Sequence, residues 1–239
     1  MQHITINKKD KLGRQAKEAY NELRTNIEDS GKKVIAITSC IPNEGKSSVS
    51  MNLAQSLAEL GYKVLLIDAD MRKSEMDSVY KIEGAKKGLS HYLPGKCKIE
   101  EIVSKTNIDN FYMIPVGKLL LDPTDLISQD RFSDLIKKDG ESPINLRKLF
   151  DYIIIDCPPR GGNLVDSQII GKLCDGVLMV IASGQIGYKF AQRVKKQFED
   201  AGCNIIGVIL NKVELKRRGY YGNYYGGYYN GYYGNDGKN

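Results

Sequence analysis

The sequence predicts an α/β fold, a mostly parallel sheet with helices on both faces, and three observations carry that expectation. Six short apolar runs recur along the chain, separated by segments of helical periodicity. The first run opens into a loop ending Gly45-Lys46-Ser47, and two others end in aspartate, at Asp68 and Asp156. Of the 239 residues 41% are apolar, which is ordinary for a soluble chain with one sizeable core.

In residues 11–27, Leu12, Ala16, Ala19, Leu23 and Ile27 recur three and four apart, so an amphipathic helix forms an N-terminal segment over 1–30. A core over 31–215 follows. Residues 34–37 are a first buried strand, and Val49, Leu53, Leu57 and Leu60 share one face of the helix after the loop. Residues 64–67 form a second strand. The stretch 73–149 is least regular, rich in Lys, Asp and Gly, and reads as connecting helices and surface loops around one strand at 111–115, with a helical pattern near 123–138. Strands at 152–155, 176–181 and 205–210 then alternate with helices at 164–173 and 188–201.

The loop between the first strand and its helix is the chemical signature. The loop residues Pro42, Asn43, Glu44, Gly45 and Ser48, through their backbone N–H groups (all but proline's) and together with the positive end of the following helix, suit a triphosphate. The Lys46 ammonium would neutralise β- and γ-oxygens and the Ser47 hydroxyl would ligate Mg²⁺. This is the pattern of a P-loop NTPase, with Cys40 where the first glycine usually stands. In a parallel sheet, Asp68 and Asp156 would reach the same carboxyl edge, where open α/β sheets bind ligands. Asp156 reads as a residue of the Mg²⁺ shell, and Asp68 with Asp70 as a second acidic pair beside the γ-phosphate. One aspartate after a strand is more often a turn or cap; three such features in this order favour the site.

Composition narrows the function classes. No apolar run approaches the roughly 18 residues a bilayer span needs, and the start is unlike a secretory signal, so a cytoplasmic protein is expected. Five cysteines without a C-x-x-C pair fit reduced thiols better than disulfides or zinc. A formal charge of +6 with scattered Lys and Arg permits an acidic partner but does not argue for nucleic acid. After residue 215 the composition changes to glycine and paired tyrosines: Tyr220, Tyr221, Tyr224, Tyr225, Tyr228, Tyr229, Tyr232 and Tyr233. With no aliphatic residue to bury, 216–239 reads as a disordered low-complexity tail. Its pairs repeat every four residues, a row of phenolic hydroxyls on the same chain as an ATP site.

The Pro42-x-Glu44-Gly45-Lys46-Ser47 loop, the run Asp68-Ala69-Asp70-Met71-Arg72-Lys73, Asp156-Cys157-Pro158-Pro159 and the tyrosine cluster together resemble the bacterial protein-tyrosine kinases of capsular and exopolysaccharide biosynthesis. The resemblance runs from Glu18 to the tail. It implies an ATP- and Mg²⁺-dependent kinase that phosphorylates tyrosines, chiefly its own tail, and regulates polysaccharide synthesis and export. It implies Lys46, Asp68 and Asp70 as catalytic residues, Ser47, Asp68 and Asp156 at the metal, and Asp68 as the candidate proton acceptor. Arg72 would steady phosphate, hold the aspartate loop or form a surface ion pair, and Asn211 would stand near the base. Partners implied are a membrane-anchored adaptor that activates the kinase and recruits it to the inner face of the membrane, a cognate tyrosine phosphatase, and further copies of the chain. The family's Glu-x-x-Arg-x-x-Arg association motif reads Glu18-x-x-Asn21-x-x-Arg24 here, one cation short. The alternatives are a ParA- or MinD-like ATPase switch, which would need another lysine early in the loop, and a non-catalytic tyrosine-rich scaffold.

Overall fold

The six apolar runs become six parallel strands lying side by side. In the computed structural model, which describes residues 1–8, 10–138, 145–161 and 165–214, the order of elements is β1 (Gln2–His3), β2 (Thr5–Ile6), α1 (Arg14–Ser30), β3 (Val34–Ser39), α2 (Lys46–Glu59), β4 (Val64–Asp68), α3 (Met76–Tyr80), β5 (Ile82–Glu83) and α4 (Leu89–Tyr92). There follow β6 (Ser104–Lys105), β7 (Phe111–Ile114), α5 (Thr124–Ile127), α6 (Asp130–Ile136), β8 (Tyr152–Asp156), α7 (Asp166–Leu173), β9 (Gly176–Ala182), α8 (Tyr188–Asp200) and β10 (Ile205–Asn211). The main sheet is ordered β1-β6-β7-β4-β8-β3-β9-β10. Every pairing in it is parallel except β6 with β7, while β2 and β5 form a separate antiparallel pair.

The inner strands are apolar on both faces because both faces are covered, whereas the edge strand β10 leaves Val208 and Leu210 exposed. On one, Ile35, Ile37, Leu66 and Ile154 pack with Ile27 of α1 and Val49, Leu53 and Leu57 of α2. On the other, Val34, Ala36, Leu65 and Ile153 pack with Leu89 of α4, Phe132 of α6, Ile170 of α7 and Phe198 of α8. The switch point falls at β3, flanked by β8 and β9, and β4 lies beyond β8. The register sets Asp68 directly beside Asp156.

The helix that carries Val49, Leu53 and Leu57 begins at Lys46, so the loop feeds straight into its first turn. The pattern near 123–138 divides into α5 and α6, because Gln129 is extended (φ −74°, ψ 154°). Four two-residue strands, β1, β2, β5 and β6, add an N-terminal arm and a far edge to the irregular region. The tyrosine-rich stretch 216–239, with all eight tail tyrosines, lies outside the described residues.

Candidate active site

The loop between β3 and α2 is shaped from within by a buried carboxylate. Glu44 is fully buried; its Oε2 accepts from the Ile41 N–H at 2.9 Å and its Oε1 from the Ala182 N–H at the end of β9 at 3.1 Å. Asn211, at the end of β10, donates from Nδ2 to the Glu44 carbonyl at 2.9 Å, and Lys212 donates from Nζ to the Asn43 carbonyl at 2.6 Å. Gly45 has φ +91°, and a Cβ there would stand 2.2 Å from the Asn211 amide nitrogen. Only glycine fits that backbone at that approach.

Behind the loop two carboxylates converge on one ammonium. Lys46 Nζ lies 2.9 Å from Asp70 Oδ2 and 3.6 Å from Asp156 Oδ2. Ser47 donates to Asp156 Oδ2 at 2.6 Å and Ser50 donates to Asp156 Oδ1 at 3.0 Å. Burial works against the Lys46 charge, but Asp156 and Asp70 outweigh it and raise its pKa, so the side chain remains a cation. Asp68 is fully buried; its Oδ1 accepts from the Asp70 N–H at 3.3 Å and its Oδ2 from the Ser74 hydroxyl. Burial first, then the neighbouring Asp156, push its pKa well above the usual carboxylate range. Burial raises Asp156 as well, against the pull of Lys46.

An open cleft of about 320 Å³ lies over this cluster, walled by Pro42, Asn43 and Gly45 to Ser48 on one side and by Asp70, Lys73 and α3 on the other. Among the described residues no three His, Cys, Asp or Glu side chains form a closed metal cage. Mg²⁺ keeps several waters and is held by one or two carboxylates plus phosphate oxygens. The Ser47 hydroxyl on the Asp156 carboxylate is such a partial donor set, and the cation Lys46 occupies the same acidic ground.

The residues expected at the site thus gather there with two qualifications. Asp70 lines the cleft, whereas Asp68 and Asp156 lie just behind its wall. Arg72 is turned away: its guanidinium is consumed by Asp166 (2.6 Å), the Leu121 carbonyl (2.7 Å), Thr124 (2.7 Å) and Asp122 (3.2 Å). It holds the aspartate loop to α7 and α5 rather than facing the phosphate loop. Asn211 stands against the loop backbone. Cys40, in the missing glycine's place, is fully buried, and burial pushes its thiol up to about 12, which leaves it inert. Cys157 is buried likewise. Sequence reading missed Ser50 and Ser74. Ser50 sits one turn after Lys46, a spacing that could have flagged it; Ser74 reaches Asp68 only through the fold of the loop.

On α1, Glu18 pairs with Arg14 at 2.9 Å, Asn21 is exposed, and Arg24 donates to the Ser56 hydroxyl of α2 at 3.2 Å. The expected intermolecular row therefore has its remaining cation engaged within the chain.

A family model described as an AAA domain matches residues 32–201. Tyrosine-protein kinase CpsD of Streptococcus agalactiae is 40% identical over 222 residues, which are 91% of this chain and 93% of that protein. The kinase domain of Escherichia coli tyrosine kinase ETK is 29% identical with a TM-score of 0.76, over 86% of this chain and 79% of that one. The cell division ATPase MinD of Pyrococcus furiosus shares the fold at a TM-score of 0.60 and 25% identity, over 75% of this chain and 71% of its own.

Proposed function

The chain belongs to the bacterial tyrosine-protein kinase family, and on that premise we propose that it transfers the γ-phosphoryl group of ATP to tyrosine hydroxyls, chiefly Tyr220 to Tyr233 of its own tail. The process served is capsular or exopolysaccharide synthesis, with a membrane-anchored adaptor as activator, a tyrosine phosphatase to reverse the modification, and the inner face of the membrane as the place of work. The observation that carries the reading is the lysine held between Asp70 and Asp156 at the floor of an open cleft.

A triphosphate in the loop competes with those carboxylates for Lys46, and the freed acidic groups beside Ser47 are the ones that would hold Mg²⁺. When bound, that ion neutralises the phosphate charge. The remaining work is positioning, together with a group to take the phenolic proton, whose pKa is roughly 10 in free tyrosine. Asp68 is that acceptor in this reading: burial first, then Asp156, shift its pKa in the direction that favours taking up a proton, and the Ser74 hydroxyl bonded to it marks where a tyrosine hydroxyl would be received.

The test is incubation of the full chain with ATP and Mg²⁺ followed by mass spectrometry of the tail. Phosphate is expected on the 220–233 tyrosines, absent in Lys46→Met and largely absent after truncation behind Arg218 with ATP binding retained. Equal labelling of the truncated and full chains would overturn the tail as principal acceptor; no labelling of the full chain would overturn the kinase reading.

A further inference from the structure

A second cleft, of about 180 Å³, adjoins the first on another flank of α3. Met76, Val79 and Tyr80 turn to the first cleft; Asp77, one residue and hence about 100° further round the helix than Met76, lines the second. Its other walls carry Lys86, Lys87, His91 and Lys118. Lys87 is paired with Glu101 at 2.6 Å, but Lys86 and Lys118 are exposed and make no ion pair among the described residues. His91 accepts the Gly88 N–H on Nδ1 at 3.2 Å, which leaves Nε2 as the ring's donor. The cleft thus offers two uncommitted ammonium groups and an imidazole N–H, a setting for a doubly charged anion.

Asp77 supplies a second requirement. Its Oδ1 is shut off from water and has no hydrogen-bond partner among the described residues. A buried acceptor left unpaired is costly, and a rotation of the Asp77 carboxylate into the cleft it lines would let a ligand N–H relieve it. A free phosphate ion carries no N–H. A phosphorylated peptide carries both groups.

The tail sequence fits the distance. Tyrosine pairs begin at Tyr220, Tyr224, Tyr228 and Tyr232, four residues apart. Four extended residues cover about 13 Å, and a helix with its side chains is about 10–12 Å across. A tail that places one pair in the first cleft can therefore pass α3 and set the adjoining pair in the second.

We propose that the cleft bounded by Asp77, Lys86, His91 and Lys118 is a phosphotyrosine subsite that retains an already modified tail pair while the adjoining pair enters the active site. The proposal rests on the kinase reading above, and it makes multisite phosphorylation processive. Unmodified tyrosine has no charge to engage the lysines, so the subsite fills only after the first transfer, and each product then helps hold the next substrate.

Two measurements test it. Binding of a synthetic peptide of residues 222–231, phosphorylated at Tyr228 and Tyr229, is measured on the full chain by fluorescence anisotropy. It should bind at least about tenfold more tightly than the unphosphorylated peptide, and Lys86→Glu/Lys118→Glu should abolish the difference. Lys11→Glu/Lys189→Glu, an equal change of charge at exposed positions elsewhere, should preserve it. Equal loss in both double variants, or displacement of the peptide by inorganic phosphate at the peptide's own concentration, would overturn the subsite. In the second measurement, intact mass is followed during early turnover with ATP and Mg²⁺. The wild type should show multiply phosphorylated chains beside unmodified ones, and the Lys86/Lys118 variant a stepwise ladder with a similar first step. Identical distributions would overturn the proposal. A wild type that incorporates no phosphate refutes the kinase reading instead, and the peptide measurement, which needs no turnover, then decides the subsite alone.

Discussion

Asp68 and Asp156 stand side by side on adjacent strands, yet their surroundings divide their work. Asp156 accepts from Ser47 and Ser50 and lies 3.6 Å from Lys46, all groups of the phosphate loop and its helix. Asp68 accepts from Ser74 and the Asp70 N–H, both on the loop opposite. Asp68→Asn should therefore keep Mg·ATP affinity within about twofold while lowering transfer by at least about 10²-fold, the usual range for loss of a general base. Asp156→Asn should weaken Mg·ATP binding as well, since it removes the carboxylate that orients Ser47. Calorimetry with Mg·ATP alongside a phosphorylation assay separates the two, and equal loss of binding in both variants would contradict the division. These aspartates were legible in the sequence because each ends an apolar run, and Lys46 and Ser47 because their spacing is fixed by the loop. The inward carboxylate of Glu44 and the hydroxyl of Ser74 were not, since each acquires its partner from a distant turn of the chain. Arg72 had three readings in sequence; only the pocket around Asp166 decides among them.

Elements were legible where burial is two-sided. Five of the six parallel strands announce themselves as continuous apolar runs because helices cover both faces, whereas the edge strand β10, with Val208 and Leu210 exposed, shows itself by its apolar run alone. Strands of two residues carry no period, so β1, β2, β5 and β6 left no signal. The start of β3 is fastened by a residue whose role was equally hidden. Asp175, just before β9, accepts from the Lys33 and Val34 N–H groups at 3.0 and 2.9 Å and from both terminal nitrogens of Arg147 at 2.9 and 3.1 Å. Burial opposes its charge, but Arg147 and the two backbone donors outweigh that and bring its pKa down to about 2. A carboxyl depressed in the folded state stabilises above its unfolded pKa, and the contribution is lost as pH falls through the folded one. Against an ordinary value near 3.9, the shift is worth about 2 to 3 kcal/mol at pH 7 and roughly half of that at pH 3. Asp175→Asn also leaves Arg147 buried without its partner, so it should lose about 2 to 4 kcal/mol at pH 7, with the gap to wild type narrowing as pH falls toward 3. Urea denaturation at both pH values checks this; a gap that widened on acidification would reverse the assigned sign.

At the scale of the whole molecule, the tail and the body are set against each other by charge. The unmodified chain is formally +6, and eight phosphotyrosines would add about −12 to −16, reversing the sign of the protein and concentrating the new charge in its last 20 or so residues. Self-association through α1 has little to oppose such repulsion. The motif lacks one cation, Arg24 donates to Ser56 of its own chain, and Glu18 faces Arg14. Exposed ion pairs that remain are individually worth about 0 to 1 kcal/mol. Phosphorylation of the tail should therefore shift the protein from oligomer to monomer at low ionic strength. The cause being repulsion between solvated charges, the shift should fade near 1 M salt, where the screening length is about 3 Å. A chain truncated behind Arg218, having no tail to charge, should show the same mass with and without ATP. Light scattering at matched protein concentration, before and after full phosphorylation and in both salt conditions, reads all three outcomes. An unchanged mass after full modification would show that the tail does not govern assembly, and a salt-independent dissociation would place the switch in a specific contact of the phosphorylated tail rather than in its charge.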